Sequence, residues 1–339
     1  MSLNMLARRT DRADTMAFEA DRLSRQTRGV HGDAVTPANV GGGYGATGTP
    51  PRGRGSRRSD PLNRGAGLGV TMTSEADDAG VHKSHRAREG GRALGQEVIA
   101  AHGGAPRWDG LAAVRVQLEF SGFGFRAKFV RNLPIRVEMV VEKDGQRVTL
   151  EPYPGAGRKG VFEGSEVRIE AANGRTLRKR AEPRAAFRDI RHKIWWDALD
   201  VLYFAGQAGW TYFHLPFVLT DPGYELREAG IWRDSGETWR KLQVTFPPGI
   251  HTHCRQQVLY VDNRGMIRRH DYTAEPFGDG AKAAHYCSDP VEFDGLVIPT
   301  RRRVYPRRSD GRPRSRPVLV WIDVKNVTTI PRAVAGARR

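Results

Sequence analysis

Over most of its length from residue 112 onward this chain places an apolar side chain at every second position, and one aromatic stretch interrupts that pattern. In 112–120, Ala112, Val114, Val116, Leu118 and Phe120 alternate with Ala113, Arg115, Gln117 and Glu119. Phe123, Phe125, Ala127 and Phe129 repeat the pattern after Ser121-Gly122, and Ile135, Val137, Met139 and Val141 give a third strand. Asp144-Gly145 turns the chain into 147–150, and Val167, Ile169 and Ala171 lead into Asn173-Gly174, a strong hairpin signal. After Pro222-Gly223 come Leu242, Val244 and Phe246, a hairpin of 252–261 with 266–275, and further strands at 283–287, 296–305 and 318–327. One-sided alternation of this kind marks antiparallel strands with one covered and one wet face. Pro306, Pro313 and Pro317 place the final pairing at a fraying sheet edge.

The interruption spans Trp195–Leu219. Trp195, Leu199, Leu202 and Gly206 share a helical stripe, and 201–219 carry no formal charge. A membrane span is excluded because Gln207, His214 and Pro216 lie inside the run and amphipathic strands flank it. The stretch instead predicts short helices lying across the sheet. Another helix is expected over about Ser84 to Ala101, where Leu94, Val98 and Ala101 repeat and His102-Gly103-Gly104 stops the run. The fold class is therefore mainly β (α+β): a curved antiparallel sheet or half-barrel with an N-terminal helix and a mid-chain helical insertion packed in its concave face.

Residues 1–82 lack sustained periodicity, and their Gly-, Pro- and Arg-rich stretches cannot bury enough apolar area to offset ordering entropy. They are expected to be a disordered leader, with 83–329 a single domain and 330–339 a disordered tail. Met72-Thr73-Ser74-Glu75 would serve as an alternative start. No apolar run follows Arg8 and Arg9, so no export signal is read and a cytoplasmic location is expected. Cys254 and Cys287, the only two cysteines, are expected to be reduced thiols.

The segments 238–244, 257–269 and 293–300 contain a tryptophan strand, a Tyr260-x-Asp262-x-x-Gly265 hairpin and an Asp294-Gly295-x-x-x-Pro299 strand. Together with the order of strands, helical insertion and hairpins, they make the chain similar to the LolA/LolB-type lipoprotein-carrier superfamily. The resemblance implies a half-open barrel with helices over an apolar hollow that shelters an acyl chain or similar ligand. The aromatics that would line it are Phe123, Phe125 and Phe129 on one side and Trp195, Trp196, Tyr203, Phe204, Trp210, Phe213 and Phe217 on the other. The function so implied is a non-enzymatic binder of a hydrophobic small molecule or lipid.

Two alternatives come from other features. If the hairpin closes across Asn263-Arg264, Gln257 faces His270 and Arg255 faces Tyr272. His253 then falls about 13 Å from His270 at strand rise, too far to share a metal, and Cys254 points to the other face. A next turn over Pro276–Ala281 sets His285 beside Tyr272 and Cys287 beside His270. His270, Tyr272, His285 and Cys287 thus form a polar patch on one sheet face that an enzyme could use. No metal-ligand spacing, Gly-x-Ser-x-Gly elbow, Walker loop or dinucleotide fingerprint is present, so neither metal nor cofactor is expected. The other alternative is a binder of nucleic acid or an anionic surface through Arg178-Lys179-Arg180, Arg301-Arg302-Arg303 and Arg307-Arg308. The formal charge is +17, but it comes from 46 arginines against nine lysines, a bias typical of GC-rich coding, so nucleic acid is the less favoured partner. The sequence says nothing of oligomeric state.

Overall fold

The computed structural model describes residues 74–333. The expected leader up to residue 73, the Met72 start and residues 334–339 of the expected tail lie outside that range. Helix α1 (Ser74–Ala101) begins ten residues before the start read from periodicity. Residues 74–83 carry no apolar stripe, so hydrophobic spacing alone could not find them.

After a short helix α2 (Ala105–Asp109) the chain makes β1 (Leu111–Ser121), a one-turn helix α3 (Phe123–Ala127), β2 (Ile135–Glu142), β3 (Arg147–Glu151), β4 (Arg158–Glu163), β5 (Glu166–Ala171) and β6 (Thr176–Ala181). The insertion holds α4 (Pro183–Ala186), α5 (Ile190–Ile194) and α6 (Ala198–His214). Then follow β7 (Glu225–Asp234), β8 (Glu237–Thr245), β9 (Gln256–Val261), β10 (Ile267–Thr273), β11 (Lys282–Phe293), β12 (Leu296–Pro306) and β13 (Val320–Pro331). All thirteen strands form one antiparallel sheet in the order β6-β5-β4-β3-β2-β1-β13-β12-β11-β10-β9-β8-β7. The sheet does not close, because β6 and β7 are its two edges. The insertion joins those edges and crosses the concave side on the way, which is what makes the fold a half-barrel with a helix in its hollow.

Helix α6 starts on a reciprocal cap. The Asp197 carboxylate accepts from Leu199 N at 2.8 Å and Asp200 N at 3.0 Å, while the Asp200 carboxylate accepts from Asp197 N at 2.9 Å. Every residue from Leu199 to His214 is buried, as expected of a helix that is apolar on nearly all sides. Two glycines set its closeness to the sheet. A Cβ on Gly206 would lie 2.5 Å from Cβ of Phe162 in β4, and one on Gly209 would lie 2.4 Å from Met139 Sδ in β2.

Three further sequence expectations change. The Phe-x-Phe repeat after Gly122 is helix α3 rather than a strand. Gly122 has φ 146°, and a Cβ there would come within 2.2 Å of Leu319 O, so the chain turns out of β1 against the start of β13. The last hairpin is central rather than at an edge: β13 pairs with β1 as well as β12. The proline-rich link 306–319 lies beyond the last β12–β13 pair, Val304 with Val320. Strand β13 continues to Pro331, so residues 330 and 331, expected in the tail, belong to the sheet.

Candidate functional site: an apolar cleft beside a buried histidine cluster

Helix α6 fills most of the hollow, and the open space left at one end is a cleft of about 450 Å³. Its walls are α3, the turn after β10, β11, the end of β12, the start of β13 and Phe204 of α6. Phe123 N donates to Val318 O at 3.0 Å and Gly124 N to Leu319 O at 2.8 Å, which fixes α3 against β13. Phe277 forms the opposite side, held in a single 3-10 turn (Glu275–Phe277). Phe204 and Val320 also wall a deeper apolar recess of about 30 Å³ between α6, β1, β2 and β13, shared with Phe125 and Phe213. Lys282, Arg307 and Arg314 are the charged residues of the cleft lining. Arg307 is 3.4 Å from Asp271, whereas Lys282 and Arg314 have no carboxylate at ion-pair distance among the described residues.

The ten aromatics expected to line one hollow divide among three separate spaces and the packed interior. Phe123 and Phe204 line the cleft, and Phe125, Phe204 and Phe213 line the recess. Phe129, Trp195 and Trp196 border a separate groove of about 440 Å³ between the start of β2, the residues after β3 and the start of α6, with Phe129 and Trp195 exposed. Phe129 leaves the α3 turn with φ 57°, which throws its side chain outward. Tyr203, Trp210 and Phe217 line none of these spaces and are packing instead. Tyr203 lies against Phe162 and Phe187 and accepts from Arg184 Nε at 3.0 Å. The Trp210 indole donates to Gly145 O at 2.9 Å, and Phe217 stacks on Trp108 at 4.5 Å. The signal that separates the groups is tertiary: strand and helix periods say which side chains point inward, but not which meet a neighbour there.

The polar patch is one cluster, two residues out of the expected register. His270 pairs with Leu259 and His285, and Tyr272 pairs with Ala283. A shift of two keeps every side chain on its face, so the grouping survived the wrong pairing. The His270 ring lies 5.8 Å from that of His285 and 4.9 Å from that of Tyr272. His253 belongs with them, against expectation. It precedes β9, so strand rise does not set its position, and its ring stacks on Tyr272 at 4.2 Å. Tyr212 of α6 closes the cluster, its hydroxyl 2.9 Å from both His253 Nε2 and the Tyr272 hydroxyl.

Burial controls the chemistry of this cluster. It lowers the pKa of His253 to about 3 and holds His270 and His285 well below the imidazole range, so the rings are neutral near pH 7. The same desolvation pushes the Cys287 thiol up, although Arg302 Nη1 stands 3.3 Å from its sulfur. A neutral thiol is a poor nucleophile. Both ring nitrogens of His285 and Nδ1 of His253 have no hydrogen-bond partner among the described residues. Tyr272 is the cluster member that reaches the cleft wall.

Many of the basic runs are used inside the fold. Arg180 bonds Asp200 at 2.5 Å and Asp197 at 2.8 Å, and Arg178 bonds Asp197 at 3.1 Å, so edge strand β6 is tied to the start of α6. Arg302 lies over the Tyr212 ring, and Arg303 bonds Asp323 at 2.7 Å. His102-Gly103-Gly104 is a helix stop docked on β12: Val297 N donates to His102 O at 3.1 Å.

No family profile matches the chain, and no curated protein does. In shape it is similar to a DUF1329 family protein from Desulfovibrio piger (13% identity, 70% of this chain and 92% of that one, TM-score 0.40). A LolA superfamily protein from Nitrosomonas europaea matches at 11% identity over 70% and 94% of the two chains, TM-score 0.39. A putative outer membrane lipoprotein-sorting protein domain from Vibrio parahaemolyticus matches at 12% over 71% and 93%, TM-score 0.42. The cytoplasmic location expected from the N-terminus is overturned here, since these similar chains include one named for outer membrane lipoprotein sorting. The open antiparallel sheet with one helical insertion in its hollow is the LolA-like arrangement that the hairpin motifs implied, and the likeness is one of fold alone.

Proposed function

We propose that the chain binds an amphiphile, its apolar chain in the cleft at the end of the half-barrel and its acidic head against Lys282 and Arg314. The observation that carries this reading is the cleft itself. Its volume of about 450 Å³ falls in the range of small-molecule sites, and its walls are aromatic and aliphatic. A deeper apolar recess continues behind Phe204, so a flexible chain would find apolar surface on both sides of that ring. Two cations without carboxylate partners at the rim favour an acid over a neutral head. The reading is non-enzymatic: the thiol and tyrosines of the buried cluster are held protonated by desolvation, and the cleft meets that cluster only at Tyr272.

Native mass spectrometry of the full chain with dodecanoate tests the reading. A single adduct per chain, displaced by a longer fatty acid and weakened by Lys282→Glu with Arg314→Glu, is expected. No adduct, or stacking of many per chain without saturation, would count against the cleft.

A further inference from the structure

Five of the eight large apolar side chains exposed among the described residues fall in two short segments that touch each other. Phe123 (53% exposed) and Phe129 (63%) leave α3 and the turn after it. Ile190 (72%), Ile194 (58%) and Trp195 (44%) come from α5 and the residue after it. The remaining three, Leu177, Ile231 and Val291, belong to β6, β7 and β11. Single exposed apolar residues are ordinary, but a concentration of this kind marks a contact surface.

The two segments are joined by backbone. Trp196 N donates to Lys128 O at 3.1 Å, and Lys128 Nζ bonds Lys193 O. Lys128 also lies 5.8 Å from the Trp196 ring and 5.5 Å from the Phe277 ring, which fastens the pair to the edge of the cleft. Within α5, Ile190 and Ile194 are four residues apart and share a face, while His192 on the other side is buried. Asp189 caps this turn by accepting from Arg191 N at 3.2 Å.

The charges around these side chains are nearly all of one sign. Arg126, Arg131, Arg188, Arg191 and Lys193 are exposed in the two segments, and Asp189 is the single carboxylate. Arg126, Arg131, Arg188 and Lys193 have no carboxylate at ion-pair distance among the described residues, and Arg191 stands 3.9 Å from Asp197 and over the Trp195 ring. Exposed apolar tips set among cations, four of them without a carboxylate partner, match the interface of an anionic bilayer: the tips enter the acyl boundary while the cations remain among the headgroups. A protein partner would be better served by a flat, rimmed patch than by separate protruding tips.

We infer that the α3 turn and α5 form a docking surface for an anionic lipid bilayer. Phe123 belongs both to this surface and to the cleft wall, so docking would bring the cleft mouth to the membrane. The surface itself does not depend on what the cleft holds.

The test is co-sedimentation of the full chain with vesicles of phosphatidylcholine alone and of phosphatidylcholine with phosphatidylglycerol. Binding to the anionic vesicles, and weakening of at least about tenfold in the variant Phe129→Ser, Ile194→Ser, Trp195→Ser, is expected. The variant keeps every charge, so it separates insertion from attraction of arginines elsewhere in the chain. Equal binding by the wild type and this variant, or equal binding to both vesicle types, overturns the proposal. Independently, brominated lipid should quench a component of wild-type tryptophan emission that Trp195→Phe lacks. Quenching identical in the two proteins overturns it as well.

Discussion

Phe204 meets Phe277 edge-on, ring centroids 5.1 Å apart and planes at 88°, so the helix in the hollow touches the turn after β10 at the inner end of the cleft. Phe204 also lies 5.8 Å from Phe125 on the recess side. One ring therefore separates two apolar spaces. Phe204→Ala should merge them, at a cost of about 3–5 kcal/mol for a buried phenylalanine removed without collapse. Urea unfolding checks the cost. Fatty acids of increasing length check the merger, since the variant should shift its preference toward longer chains.

Gly206 and Gly209 face the sheet with different neighbours. Alanine is the better helix former by about 1 kcal/mol, so propensity alone would make either substitution stabilising. At Gly206 the new Cβ meets the Cβ and ring of Phe162, which is wholly buried and has no free direction to move. Gly206→Ala should therefore destabilise, by about 1–3 kcal/mol. At Gly209 the obstacle is the end of Met139, a flexible side chain that can swing aside. Gly209→Ala should cost less than Gly206→Ala, and thermal melts of the two variants side by side decide the order.

Asp200 is fully buried, caps α6 and bonds both Arg180 at 2.5 Å and His192 Nδ1 at 2.9 Å. Asp200→Ala removes one of the two carboxylates that hold edge strand β6 to the insertion and leaves Arg180 to Asp197 alone. A loss of about 3 kcal/mol is expected. Asp200→Asn, which keeps an acceptor for the Asp197 amide, should lose less. Chemical denaturation measures both.

Burial keeps several imidazoles neutral in the folded chain: His102 and His214 titrate near 4 and His253 near 3, with desolvation the largest cause in each. In the unfolded chain they bind protons from about pH 6.5 downward. Between those limits the unfolded state holds more protons, so stability falls as the pH drops from about 6.5 toward 4 and is unaffected by these groups above it. The melting temperature should be flat from pH 7 to 8 and decline steadily below about 6. A melting temperature unchanged down to pH 4.5 would contradict the neutral cluster.

Strand positions with one buried face were legible in the sequence because a period of two is a local property. The hairpin at Asn173-Gly174 and the helical nature of 198–214 were legible for the same reason. What escaped depends on contacts distant in sequence. The turn at Gly122 is dictated by the backbone of Leu319, and His253 reaches Tyr272 through an irregular segment before β9. Likewise, nothing local distinguishes Phe123, which borders open space, from Phe217, which stacks on Trp108. The histidine cluster was legible as a face and illegible as a register, because a shift of two residues changes neighbours but not sides.

The proposed ligand site is the cleft rather than the filled hollow. Ala281 lines the cleft on the turn between β10 and β11 and is only partly buried, so Ala281→Trp can fill the space without entering the core. Titration calorimetry with dodecanoate, below its micelle concentration, compares this variant with the wild type. The expected result is saturable one-to-one binding in the wild type and at least about a tenfold loss in Ala281→Trp at an unchanged melting temperature. Equal affinity in the two proteins, or no saturable heat in the wild type, would contradict it.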